Sequence, residues 1–407
     1  MITMKTYILI GAAGGYISGG PIYQRNKAIY LQSKGWKVYY ISCRKGHIYI
    51  KGLESFVITT CPLLSVSFYL FSKKKQKKII EHITKKIPSQ GEEIVIETGT
   101  YSTAYWGELL AQHLKAKHLV VYLDEHNDGI KKELSNFFHF KYKRNELACI
   151  TKQTMVNIFN PFWSISEQKA KSLLCYCSNS LEDYDYKPIH TIPNCDYTIG
   201  YVGRLEKDAL KTCINDIIQF ASQNPSKTIA FICIGGSSTQ TEKKIEQAFK
   251  DTSNIRLFIS GYIFPIPLQV IRKCNIIFAS AGSVNVATKA GIPTVDIDVY
   301  TNEPTGFVLS AENNKYQKCP YGNKVIDYLN MTLIKNEFPY IPFTFSYEND
   351  LNKMNAAFEE HTKFLYNSSE NKEYFSFPEI KLTRVQILKK IVLSILGIRL
   401  IQLLKCK

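Results

Sequence analysis

Five short, mostly apolar runs recur through the second half of this chain, each followed by a stretch long enough for a helix. They lie at 199–202, 229–234, 255–259, 276–279 and 294–297. Helical spacing of apolar residues marks 210–221, 242–251, 268–273 and 284–290 between them. A strand that is apolar along its whole length, not only at alternate residues, has both faces covered. Strands of that kind alternating with helices predict a parallel sheet packed between two helical layers. The first half repeats the scheme, with strands at 7–10, 38–41, 94–96 and 118–123 and helices at 23–34 and 105–116. The expectation is an α/β chain of two Rossmann-like domains. The first spans 1–185, the second 197–375, and a basic amphipathic tail takes 376–407, with a polar, proline-containing linker at 178–196.

Length and composition allow this. The chain has 407 residues, 45% of them hydrophobic and 13% aromatic, enough to fill two cores and too apolar for disorder. Lysine and arginine number 51 against 35 acids, a formal charge of +16, and the surplus gathers at 73–78 and beyond Lys381. Such a balance suits anionic partners: nucleic acid, anionic lipid or phosphorylated small molecules. Eleven scattered cysteines form no Cys-x-x-Cys and no metal-ligand spacing, which predicts free thiols in a reducing cytoplasm and no metal site. The run at 7–10 leads into a glycine loop, as a first strand does and a secretory leader does not. No segment reaches the roughly 18 uncharged apolar residues of a membrane span.

The chemistry is expected where strands end. Arg204 and Lys207 follow the strand that closes on Gly203, and Gly282-Ser283 opens a helix after the strand at 276–279. Cations and backbone N–H groups at the carboxyl ends of strands are where an α/β sheet holds phosphates. Gly235, after the second strand of that domain, is expected to line the same crevice, with a plain turn as the alternative. Asp298 and Glu303, after the last strand, are expected to accept hydrogen bonds from a ribose, or to form a polar loop. In the first domain Gly19 and Gly20 sit in a loop at 14–20, and polar clusters follow two strands: 97–101, and 124–127 with Glu125 and His126 as acid–base candidates. The opening glycines do not make Gly-x-Gly-x-x-Gly and no acid ends the strand at Ser42, so a nicotinamide dinucleotide is disfavoured and no cofactor is expected. The apolar stretch 61–71 beside the lysine run suits an anionic membrane surface or a buried segment. The tail 381–407 suits a helix lying in the interface or packed back on the first domain.

These motifs together resemble the retaining group 1 glycosyltransferases of the GT-B type, in the branch that builds bacterial surface polysaccharides. The resemblance rests on the glycine-rich opening with Tyr23-Gln24-Arg25-Asn26, on Gly203 to Lys207, on Gly261-Tyr262, and on Ser280 to Ser283 through Ala290-Gly291-Ile292-Pro293-Thr294. It implies two Rossmann-like domains facing a cleft, with a nucleotide-diphosphate sugar on the second and a glycan or lipid-linked acceptor on the first. It further implies an enzyme peripheral to the inner face of the plasma membrane that does not act on nucleic acid. Arg204 and Lys207 match the family's diphosphate-binding positions, and Gly19 and Gly20 its facing loop. The family's pair of glutamates has no counterpart, since Phe278 and Val286 stand in their places. A sugar-nucleotide epimerase of the same architecture and a non-catalytic partner subunit are the alternatives.

Overall fold

The computed structural model describes residues 5–88, 93–124, 130–310 and 315–395. The chain divides into two units. One comprises Met1–Ile48, Gly52–Tyr176 and Asn352–Lys407; the other comprises Tyr49–Lys51 and Cys177–Leu351.

The first unit is built on six parallel strands: β1 (Lys5–Gly11), β2 (Lys37–Ser42), β3 (Val57–Thr60), β4 (Glu93–Thr98), β5 (Lys117–Tyr122) and β6 (Leu147–Cys149). Their order is β3-β2-β1-β4-β5-β6, so the winding reverses between β1 and β4. The crossover helices are α1 (Gly19–Ser33), α2 (Lys73–Thr84), α3 (Tyr101–Leu114), α4 (Lys132–Lys143) and α5 (Lys152–Phe159). Two boundaries correct the sequence expectation. Gly19 and Gly20 are not loop residues; they open α1 behind Ser18, with Pro21 in the first turn, where its missing N–H costs nothing. Helix α3 starts at Tyr101, fixed by a capping box between Thr100 and Thr103.

The second unit carries seven strands in the order β10-β9-β8-β12-β13-β14-β15. Strands β8 (Tyr197–Val202), β9 (Ile229–Ile234), β10 (Ile255–Ile259), β12 (Ile276–Ala279) and β13 (Thr294–Ile297) are parallel, while β14 (Pro304–Ser310) and β15 (Lys315–Gln317) run antiparallel at the edge. A small parallel pair, β7 (Leu181–Glu182) with β11 (Ile266–Pro267), stands apart. The helices are α6 (Asp208–Gln223), α7 (Thr239–Ala248), α8 (Leu268–Arg272), α9 (Ser283–Lys289) and α10 (Val325–Leu329). Every residue of β9 is buried. Its Phe231 and Cys233 pack into one hydrophobic layer with Ile217 and Phe220 of α6, and its Ala230 and Ile232 into the other with Ala287 of α9. The period of two along one strand feeds two cores.

The residues after Leu351 do not stay with the second unit, as the expected boundary at 375 would require. Helix α11 (Tyr347–Tyr366) buries Phe358, His361 and Leu365, and Phe358 packs on Tyr23 and Tyr30 of α1, with ring centroids 6.0 and 5.5 Å away. A strap then crosses the first unit: Phe375 N–H donates to Glu108 at 2.7 Å and the Tyr374 hydroxyl to the Ala116 carbonyl at 3.3 Å. Helix α12 (Arg384–Ile395) follows, with Ile380 and Leu393 in the core of the same unit. Among the described residues no helix is long and apolar enough to cross a membrane.

Glu97 marks a further departure. Read as a strand-end carboxylate of a polar cluster, it is instead buried inside β4, in an ion pair with Lys27 of α1. The Tyr7 and Tyr23 hydroxyls donate to its two oxygens at 2.6 and 2.8 Å. Lys27 also donates to His361 Nδ1 at 3.2 Å, and His361 Nε2–H donates to the Leu174 carbonyl at 3.0 Å, so this histidine is neutral. Burial alone would push the Glu97 carboxyl up, but Lys27 and the hydrogen bonds outweigh it and hold the group below its ordinary range. A second buried network joins Glu108 of α3, His118 of β5, Lys141 of α4 and Glu146, with Lys141 at 2.7 Å from Glu108 and 3.0 Å from Glu146.

Both histidines give this unit an acid sensitivity. Burial, then Lys27, lowers the His361 pKa from 6.5 to about 3, and burial, then Lys141, also lowers that of His118. Below pH 6.5 the unfolded chain binds protons that the folded one refuses, so stability falls with falling pH, by about 1.4 kcal/mol per pH unit for His361, with His118 acting in the same direction. His361→Gln should remove one proton's worth of that slope. Denaturant unfolding across this range checks it; an unchanged slope would show that His361 takes no part.

Candidate functional site

In the second unit the strand order reverses between β8 and β12, which places a crevice beyond their carboxyl ends. The loop after β8 bends at Gly203 and the loop after β9 at Gly235, with φ of 157° and 155°. A Cβ on Gly235 would stand 1.9 Å from the Gly203 carbonyl oxygen, so only glycine lets the two loops lie this close. Gly203 N–H donates to the Ile234 carbonyl at 3.1 Å, and Gly235 N–H to Ser260 Oγ after β10 at 3.1 Å. The ends of three neighbouring strands are thereby fixed to one another.

On this floor Lys207 caps the start of α6, and its Nζ donates to Ser280 Oγ at 3.3 Å. Ser280 is buried just past β12, so the lysine spans the crevice from one side of the reversal to the other. Arg204, three residues earlier, is exposed beside it. Gly282 precedes α9, and a Cβ there would meet Ser178 Oγ at 2.7 Å. The Ser283 N–H turns back to the Ser280 carbonyl at 3.3 Å, which tightens this corner rather than opening it.

Asp298 takes the second of the two parts its position allows, that of a polar loop. Its Oδ1 accepts from the Tyr300 and Thr301 N–H groups at 2.9 and 2.8 Å and from the Thr301 hydroxyl, and its pKa is lowered by those backbone bonds. Its own N–H donates to the Glu303 carbonyl at 2.9 Å, closing the turn from β13 into β14, while the Glu303 side chain is exposed. Asp296, in β13, is half-buried, and burial raises its pKa against the hydrogen bonds from Tyr316 and Thr305, which lower it. Gly19 and Gly20 lie in the first unit, at the start of α1. Glu125 and His126 lie outside the described residues. The crevice therefore gathers Gly203, Arg204, Lys207, Gly235 and Gly282, and adds Ser280, which the sequence showed only as the opening of the stretch to Ser283, and Ser260, which had no motif to announce it. Phe278 and Val286, where the resembling family has its glutamates, are core residues.

No family model and no curated protein matches the chain. Solved structures do. A glycosyltransferase from Rickettsia africae superposes with a TM-score of 0.56 at 13% identity, over 90% of this chain and all of that one. Anabaena Alr3699/HepE in complex with UDP-glucose gives 0.53 at 10% identity, over 88% and 98%. A UDP-GlcNAc 2-epimerase from Neisseria meningitidis gives 0.49 at 13% identity, over 88% and 100%. The likeness shows the fold: two Rossmann-like units of the GT-B type.

Proposed function

We propose that this protein is a glycosyltransferase that moves a sugar from a nucleoside-diphosphate donor to a glycan acceptor carried on a lipid, at the cytoplasmic face of the membrane. One observation carries the reading. Arg204 and Lys207 put two cations at the strand reversal of the second unit, and Lys207 reaches across it to Ser280. Arg204 suits a bidentate grip on diphosphate oxygens, and Lys207 acts as a point charge. As an acceptor hydroxyl forms the new glycosidic bond, the bond from the anomeric carbon to the diphosphate breaks and negative charge collects on the leaving oxygen. Cations already fixed there stabilise that charge, and holding donor and acceptor together supplies most of the rest. Glu125 or His126 is assigned the acceptor's proton.

Two tests follow. The purified chain, given labelled UDP, GDP, dTDP and CMP sugars with a membrane lipid extract, should move label into lipid. An epimerised donor formed without acceptor, or no turnover with any donor, would reject the reading. Activity should also survive EDTA. A magnesium ion held through a diphosphate takes one or two protein carboxylates, and the strand-end acids Asp296 and Asp298 are engaged in hydrogen bonds of their own. Loss on chelation with recovery on Mn²⁺ would assign them as ligands instead.

A further inference from the structure

We infer that helix α12 and the start of α2 form one membrane-docking face that takes an anionic lipid bilayer. On α12 Val385, Ile387 and Leu388 are 63%, 46% and 62% exposed. Side chains of this kind on a helix otherwise anchored by Leu393 make an apolar ridge, the form in which an amphipathic helix enters the headgroup boundary. Arg384, Lys389 and Lys390 flank the ridge and are exposed.

The fold adds a second basic element beside it. Helix α12 packs on the short turn Phe68–Leu70, and Phe377, seven residues before the helix, packs at a tilt on Phe68 with centroids 4.6 Å apart. Lys131 ties the two together: its Nζ lies 4.8 Å from the Tyr69 ring and donates to Gln386 Oε1 at 3.0 Å. Three residues past Leu70, α2 begins with Lys73, Lys74 and Lys75, followed by Lys77 and Lys78, all exposed. The turn on which α12 packs thus leads, within three residues, into the lysines that open α2, although the two basic segments are some 300 positions apart in sequence.

Charge selects the occupant. Residues 381–407 contain no Asp or Glu. A second copy of this chain would set cations against cations, whereas an anionic bilayer answers both the charge and the ridge. This inference does not depend on the donor site, since every residue in it belongs to the first unit.

The test is co-sedimentation of the full chain with vesicles of equal parts phosphatidylcholine and phosphatidylglycerol, and with phosphatidylcholine alone. Each cation near an anionic surface raises partitioning about fivefold. Binding should be confined to the anionic vesicles and weaken with salt. K73E/K74E/K75E should lower it by at least about 100-fold, and V385E/L388E should abolish it, both with thermal melts like the wild type because the altered side chains are exposed. Failure to bind anionic vesicles at low salt overturns the inference, as does binding that neither variant changes. A dimer in solution that V385E/L388E dissociates would also overturn it, by assigning the ridge to a second copy.

Discussion

Glu97→Ala should destabilise the first unit by about 3–5 kcal/mol, the cost of leaving the buried Lys27 charge without its partner. Lys27→Met should cost a similar amount, because Glu97 must then either stay charged in a dry site with only Tyr7 and Tyr23 to hold it or take up a proton on folding. The double variant Lys27→Met with Glu97→Leu should be less damaged than either single one, since no orphaned charge remains. The readout is clean. The chain's three tryptophans, Trp36, Trp106 and Trp163, all lie in the first unit, so tryptophan fluorescence in a denaturant series follows that unit alone. An unfolding midpoint unmoved by Glu97→Ala would mean that the pair does not hold α1, β4 and α11 together.

Arg204→Ala and Lys207→Ala should each weaken nucleotide-sugar binding or turnover by at least about tenfold, as expected for losing a charge-assisted hydrogen bond of roughly 1.5–3 kcal/mol. The Arg204 change should leave the melting temperature as it is, because that side chain is exposed and takes no part in either core of the second unit. The double variant separates site from fold: turnover should drop by more than in either single variant while the far-ultraviolet circular dichroism of the chain, to which both units contribute, keeps its wild-type shape. Full activity in Arg204→Ala would remove the diphosphate from this crevice.

Most of the parallel strands were legible because they are apolar along their length and several stop at glycine or a small residue; β3 and β6, the two short edge strands of the first sheet, were not. Strands β8, β9, β10, β12 and β13 lie where the pattern puts them. The antiparallel edge was not legible. Strand β14 opens with Pro304 and carries Gly306, both of which weaken a strand reading, and it owes its place to pairing with β13. The return of α11 to the first unit was equally hidden. Its buried stripe is a few residues wide, and its partners Tyr23 and Lys27 lie more than 330 positions away. Glu97 shows the limit most sharply. A carboxylate near a strand end reads as a cleft residue, and only the arrival of Lys27, Tyr7, Tyr23 and His361 from three other segments turns it into a structural ion pair. At the candidate site the cations and glycines were readable from local spacing. Ser260, and the bond from Lys207 to Ser280, were not, because they come from loops that the sheet brings together.

The central claim is that a nucleoside diphosphate binds at the β8–β12 reversal through Arg204. Thermal melting of the full chain and of Arg204→Ala against UDP, GDP, dTDP and CMP tests it most directly. A ligand that binds only the native state at about 100 times its Kd adds roughly 2.7 kcal/mol to stability. One of the diphosphates should therefore raise the wild-type melting temperature and fail to raise that of Arg204→Ala at the same concentration. No shift with any nucleotide, or an equal shift in the variant, would contradict the account.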